Sequence, residues 1–152
     1  MLTAFRRWMQ AGQDAPALSG GGAAQQRELA ETVAGFAAEL MRVDLQVRPE
    51  EGAVAAKVLA PLFALEPQTI DGLLAKAGDR SRRFASYYGP LSLLKRRWSP
   101  AERVAFIEAL WRIAYADGRL DPYEDHFVRK IAHLLYVSNT DCVLARNRAR
   151  AG

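Results

Sequence analysis

Apolar residues recur along this chain at steps of three and four, and no stretch offers the strict alternation of a half-buried strand, so the pattern predicts an all-α fold. Leu29, Val33, Phe36 and Leu40 form one stripe that ends near Asp44. Val54, Val58 and Leu62, joined by Leu59 and Phe63, form the next. Pro67 suits the first turn of a third helix, which carries Ile70, Leu73 and Leu74 and closes near Gly78. Gly89-Pro90 divides the segment that follows into two short helices. Ser99-Pro100-Ala101-Glu102 reads as a capping box, opening a helix that runs through Val104, Ile107, Leu110 and Ala114 to about Asp117. Another helix covers Pro122 to Tyr136, and Ser138 with Asp141 caps the last.

Composition sorts these elements into one domain and a tail. Gly12 to Ala24 is rich in Gly, Ala, Ser and Pro, so residues 1–24 read as a terminal turn and a flexible linker, and residues 25–152 as the helical domain. At 152 residues, half of them hydrophobic, the chain can bury one substantial core. Cys142 is alone, so no disulfide forms within the chain, which suits a reducing, cytoplasmic setting. Every apolar run is broken by charge well short of the roughly 20 residues that a membrane span needs. Leu2, Phe5 and Trp8 lie at helical spacing beside Arg6 and Arg7, but the apolar core of a signal peptide is missing there.

Charge then singles out one place. The run from Ala116 to Asp125 gathers Asp117, Asp121, Glu124 and Asp125 against Arg119, in a chain whose net charge is +4. Capping explains part of it: Asp121-Pro122-Tyr123-Glu124 is a second capping box, and Gly118 suits the left-handed residue that ends the helix before. The other reading is a divalent cation site on a helix-turn-helix elbow. Asp117 favours it, because a carboxylate at a helix C-terminus is opposed by the dipole. The run is not an EF-hand, since counting from Asp117 puts Arg119 third and Val128 twelfth, where oxygen ligands are required. A cation here needs ligands from elsewhere in the fold.

The chain offers a donor in itself. At an offset of 73 residues Asp44 falls on Asp117, Pro49 on Pro122, Glu51 on Glu124 and Lys57 on Lys130, so two elbows of one design are expected from a duplicated helical unit. The copies are unequal: Leu45 replaces the turn Gly and Arg48 the capping Asp, leaving Asp44, Glu50 and Glu51 as the acids of the first elbow.

The run Ala109-Leu110-Trp111-Arg112-Ile113-Ala114-Tyr115-Ala116-Asp117-Gly118, with Leu120, Glu124-Asp125, Val128-Arg129, Ala132, Leu135, Val137-Ser138 and Leu144-Ala145-Arg146, resembles the TerB-like family. That family is named for tellurite resistance, and a similar domain precedes the J-domain of a membrane-anchored co-chaperone. The resemblance is tight over about residues 98–149 and loose over 27–78. It implies an all-helical domain of two related halves, an acidic centre proposed to bind metal, and no established catalytic activity. Asp117 and Glu124 match the family's acidic positions directly, and Asp44 and Glu51 less closely, because the first elbow reads Asp44-Leu45-Gln46-Val47-Arg48 where the family has D-G-x-x-D. The expected cation is hard, Ca²⁺, Mg²⁺ or Mn²⁺, held by Asp117, Glu124, Asp121, Asp44 and Glu51 in a water-rich site.

Between the halves, Arg80 to Trp98 holds six Arg and Lys, no acid, and Phe84, Tyr87, Tyr88 and Trp98. Basic residues among aromatics can bind single-stranded nucleic acid, but no recognition motif accompanies them, and a solvated basic face over core aromatics is the commoner arrangement. An acidic protein surface is a third fit for this segment, and Arg146, Arg148 and Arg150 either extend it or favour the negative end of the last helix. His126 and His133 share a helix face without an H-E-x-x-H, and no G-x-S-x-G, Walker loop or dinucleotide fingerprint occurs. Reduction of tellurite would call for paired thiols or a flavin, and Cys142 has no partner. Two classes survive: a non-enzymatic cation-binding domain of a tellurite or envelope stress response, and a metal-free module that docks a protein partner while its acids only cap helices.

Overall fold

The computed structural model describes residues 22–41, 49–63, 65–79, 88–116 and 120–151, with side chains defined for 27–41, 52–63, 65–76, 89–116 and 120–151. Within them lie seven helices and no strand: α1 (Gly22–Met41), α2 (Pro49–Phe63), α3 (Pro67–Asp79), α4 (Tyr88–Arg97), α5 (Pro100–Ala114), α6 (Pro122–Leu134) and α7 (Asn139–Ala151). The fold is all-α, as the apolar spacing predicts. Buried residues from every helix join one cluster, in which Phe36, Leu40, Leu59, Ile70, Leu94, Phe106, Leu110, Trp111 and Ile131 are fully enclosed.

Helix boundaries repeat along the chain. α1 ends at Met41 and α5 at Ala114, and α2 begins at Pro49 and α6 at Pro122, each pair 73 residues apart. α3 and α7 begin at Pro67 and Asn139, one residue out of that step. Each triplet packs its first helix most closely on its third, α1 on α3 and α5 on α7. The triplets meet where α1 packs on α5 and α6 and where α2 packs on α5, with the Phe36 and Phe106 rings edge-on at 6.3 Å. Trp98 closes this contact from the end of α4, its ring 5.3 Å from Phe106.

Three boundaries differ from the sequence expectation. α1 opens at Gly22, ahead of Gln25, so the end of the Gly-rich run is helical. Gly89-Pro90 lies in the first turn of α4, where a Pro removes an N–H that has no intrahelical partner, and the short helix expected before it lies outside the described residues. α5 stops at Ala114, with Tyr115 as its cap, before reaching Asp117 and Gly118. α6 stops at Leu134 and closes in a Schellman turn, where Tyr136 N–H bonds His133 O at 3.1 Å and Val137 N–H bonds Ala132 O at 2.9 Å. Tyr136 takes the left-handed position of that turn at φ 59°, a conformation that ordinarily falls to Gly.

Candidate functional site: the α5–α6 elbow

The elbow is built by two helix ends. Tyr115 N–H bonds Trp111 O at 3.0 Å and Ala116 N–H bonds Ile113 O at 3.1 Å, which closes α5. Residues 117–119 lie outside the described set, and the chain returns at Leu120, packed against the core. Asp121 then stands at the N-cap of α6 in an extended conformation, φ −72° and ψ 138°, with Pro122 as the first helical residue. Its Oδ1 accepts the Tyr123 N–H at 2.7 Å. Glu124 completes the box by accepting the Asp121 N–H on Oε1 at 3.4 Å. Both carboxylates therefore converge on the positive end of one helix dipole.

Their surroundings differ. Glu124 is buried at 9% exposure, and no other charged side chain is buried among the described residues. Asp121 is half-buried and Tyr123 beside it is exposed. Asp125 is turned to its own helix, where its Oδ2 accepts from Arg129 Nε at 2.9 Å, the favourable order of acid before base at i and i+4. Arg129 also lies 5.8 Å from the Trp111 ring centroid. Four carboxylates close in sequence thus split into three described ones with separate partners, and Asp117.

Of the five residues expected to hold a cation, the structure brings together Asp121 and Glu124. Asp44, Asp117 and the side chain of Glu51 lie outside the described residues, although the backbone of Glu51 sits in the first turn of α2 as Glu124 does in α6. Among the described residues no group of three or more His, Cys, Asp or Glu is placed to hold a metal ion. Two carboxylates supply a hard, partial donor set, suited to Ca²⁺, Mg²⁺ or Mn²⁺ with water completing the shell. His126 and His133 are exposed on α6.

Several polar groups that the sequence reading passed over prove structural. Arg103, at the start of α5, donates to Trp98 O at 3.3 Å, Leu135 O at 3.3 Å and Lys95 O at 3.5 Å. It ties together the end of α4, the start of α5 and the end of α6. A cation in the first turn of a helix is disfavoured by the dipole, and that misplacement was the signal available in the sequence. Glu108, on α5, receives Arg148 Nε at 3.3 Å and Arg112 Nη2 at 3.8 Å, so Arg148 is tied to the core pair of helices instead of extending a basic face. Trp111 is fully buried and donates its Nε1–H to Cys142 O at 3.2 Å. Burial pushes the Cys142 thiol above its ordinary pKa, against smaller opposing effects of Trp111, Arg129 and Arg146.

A family model described as tellurite resistance protein TerB matches residues 30–147. No curated protein and no solved structure matches the chain.

Proposed function

The chain belongs to the TerB family, and on that premise we propose that it is a non-catalytic binding module of a tellurite or envelope stress response, with a hard divalent cation at its α5–α6 elbow. The observation that carries this reading is the pairing of the half-buried Asp121 with the buried Glu124 at one helix N-terminus. Capping engages Asp121 Oδ1 and Glu124 Oε1. A carboxylate offers about four lone-pair sites, and each capping bond takes one while orienting its group. Asp117, four residues before Asp121 in the sequence and matching the family's acidic position, is the expected third ligand. With so few protein oxygens the affinity is modest and water fills the remaining positions.

The test is thermal unfolding and titration calorimetry after chelator treatment, with Ca²⁺, Mg²⁺ and Mn²⁺ in turn. A cation that binds the folded state raises the melting temperature with concentration. Asp117→Asn removes that response and leaves metal-free stability equal or slightly higher. A wild-type protein that binds none of the three at millimolar concentration leaves a second reading, a metal-free docking module. The completed capping box favours that reading, because it already gives each carboxylate a backbone partner.

A further inference from the structure

At the far end of α6 from the elbow, Tyr136 combines two features that folding alone does not call for. It holds the left-handed position of a Schellman turn, φ 59°, where Gly is ordinarily found, and no other described non-Gly residue has a positive φ. Its side chain is also 78% exposed, the most exposed large hydrophobic among the described residues. Lys95 Nζ lies 4.7 Å from its ring centroid, and Arg96 and Arg97 follow on the exposed last turn of α4. The dipole of α4 accounts for cations at its end. It does not account for an exposed aromatic in a strained backbone position beside them, and such outliers gather where a surface is used.

We propose that Tyr136, Lys95, Arg96 and Arg97 form a docking site for a short acidic peptide segment of a partner protein. Arg103 preorganises the site, since its bonds to Lys95 O and Leu135 O fix the end of α4 against the end of α6. Glu102, the acid in the adjoining first turn of α5, has its Oε1 turned to the Ser99 N–H at 3.2 Å. The basic side chains engage the carboxylates of the peptide, and the Tyr136 ring packs on its backbone while the hydroxyl donates a hydrogen bond. Charge and extent favour a short peptide over nucleic acid. Among the described residues Trp98, a neighbouring aromatic that could stack a base, is 6% exposed and belongs to the core. α6 is 13 residues long, about 20 Å, and its other end carries Asp121 and Asp125, so a polyanion extended along it meets repulsion. The inference is independent of the elbow cation, because the two sites use opposite ends of α6 and chelator leaves this one untouched.

The experiment is a titration of the ¹⁵N-labelled full chain, in chelator, with acetylated hexaglutamate, and in parallel with hexathymidylate, inorganic phosphate and phosphatidylglycerol vesicles. Hexaglutamate is expected to shift the amides of Lys95, Arg96, Arg97 and Tyr136, with affinity falling as salt rises. Tyr136→Gly, which relieves the backbone and melts no lower than wild type, weakens binding by about fivefold or more, and Lys95→Glu does the same. Three results overturn the proposal: no shift at these amides at millimolar peptide, equal or tighter binding of any of the other three probes at the same amides, or undiminished peptide binding by folded Tyr136→Gly and Lys95→Glu.

Discussion

The two helical triplets solve one packing problem while placing their bulk on different helices at matched positions. At matched buried positions α1 carries Ala34, Ala37 and Ala38 where α5 carries Ile107, Leu110 and Trp111. The third helices compensate: α3 presents Ile70 and Leu73 where α7 presents Cys142 and Ala145. At these positions the bulk sits on the third helix of the first triplet and on the first helix of the second, while Phe36 against Ala109 and Met41 against Ala114 run the other way. Total volume and apolar pattern are what the framework requires, and the assignment of bulk to one helix or the other is free to drift. Polar residues diverge further, since Ala30, buried in α1, stands where α5 has Arg103.

The largest effect comes from removing the bulk that only the second triplet places on its first helix. Trp111→Ala leaves small residues on both sides of the contact with Cys142, and is expected to destabilise by about 3–5 kcal/mol through the cavity and the lost bond to Cys142 O. Adding Cys142→Ile, which copies the residue Ile70 of the first triplet, is expected to recover about 1 kcal/mol or more. Urea unfolding of the single and double variants checks both. A double variant no more stable than Trp111→Ala would show that bulk cannot be moved between the helices of a triplet.

Replacing Arg103 by the Ala of the first triplet should cost about 2 kcal/mol, because three carbonyls at helix ends lose a charged donor that lies partly out of water. Arg103→Lys should recover less than half, since one ammonium cannot span three acceptors as the guanidinium fork does. Equal stability of the Lys variant and wild type would mean that charge alone, and not geometry, matters at this junction.

Asp121→Ala comes next, at about 1 kcal/mol, by loss of the cap whether or not metal is present. The melting temperature in chelator reads it, and no change there would exclude the capping box as a contributor to stability. Tyr136→Gly is smaller and opposite in sign. Relief of the left-handed backbone, up to about 1 kcal/mol, is set against the loss of an exposed cation–π contact with Lys95, so stability equals or exceeds wild type. A clear fall in melting temperature would make Tyr136 a structural residue.

How far the sequence discloses these features depends on the range of the interaction. The seven helices follow from apolar spacing and from caps at Ser99 and Asp121, which are contacts within four residues along the chain. The Asp125–Arg129 pair belongs to the same short-range class. The Arg103 junction does not, because Leu135 O is 32 residues away and only the folded chain brings it near. Burial of Glu124 is likewise a tertiary property, invisible in a capping box that also forms on exposed helices. Tyr136 escaped notice for another reason: a left-handed C′ residue is normally announced by Gly, and here the announcement is missing. Of the candidate site, the sequence pointed to the elbow and its capping pair Asp121 and Glu124, and the i, i+4 pairing of Asp125 with Arg129 was equally legible there though not drawn from it.

The smallest predicted effect separates the triplets by pH. Cys142 is 2% exposed, and its counterpart in the first triplet is Ile70, which does not titrate. Desolvation raises the thiol pKa in the folded state, against the lowering influences of Trp111, Arg129 and Arg146 and together with a raising one from Asp125. Below the ordinary thiol pKa of about 8.5 the group is protonated in both folded and unfolded chains and contributes no pH dependence. As pH rises through that value the unfolded chain releases the proton first, so it binds fewer protons than the folded chain and stability falls. The fall levels off once the folded thiol ionises as well. Cys142→Ala removes this component while costing some packing. The stability advantage of wild type over the variant should therefore be constant near neutrality and narrow by about pH 10. Urea unfolding of both proteins across that range reads the difference directly, since all other alkaline groups are common to the two. A difference that stays flat would mean that the thiol ionises in the folded protein as easily as in the unfolded one, and that the α5–α7 contact is open enough to hydrate it.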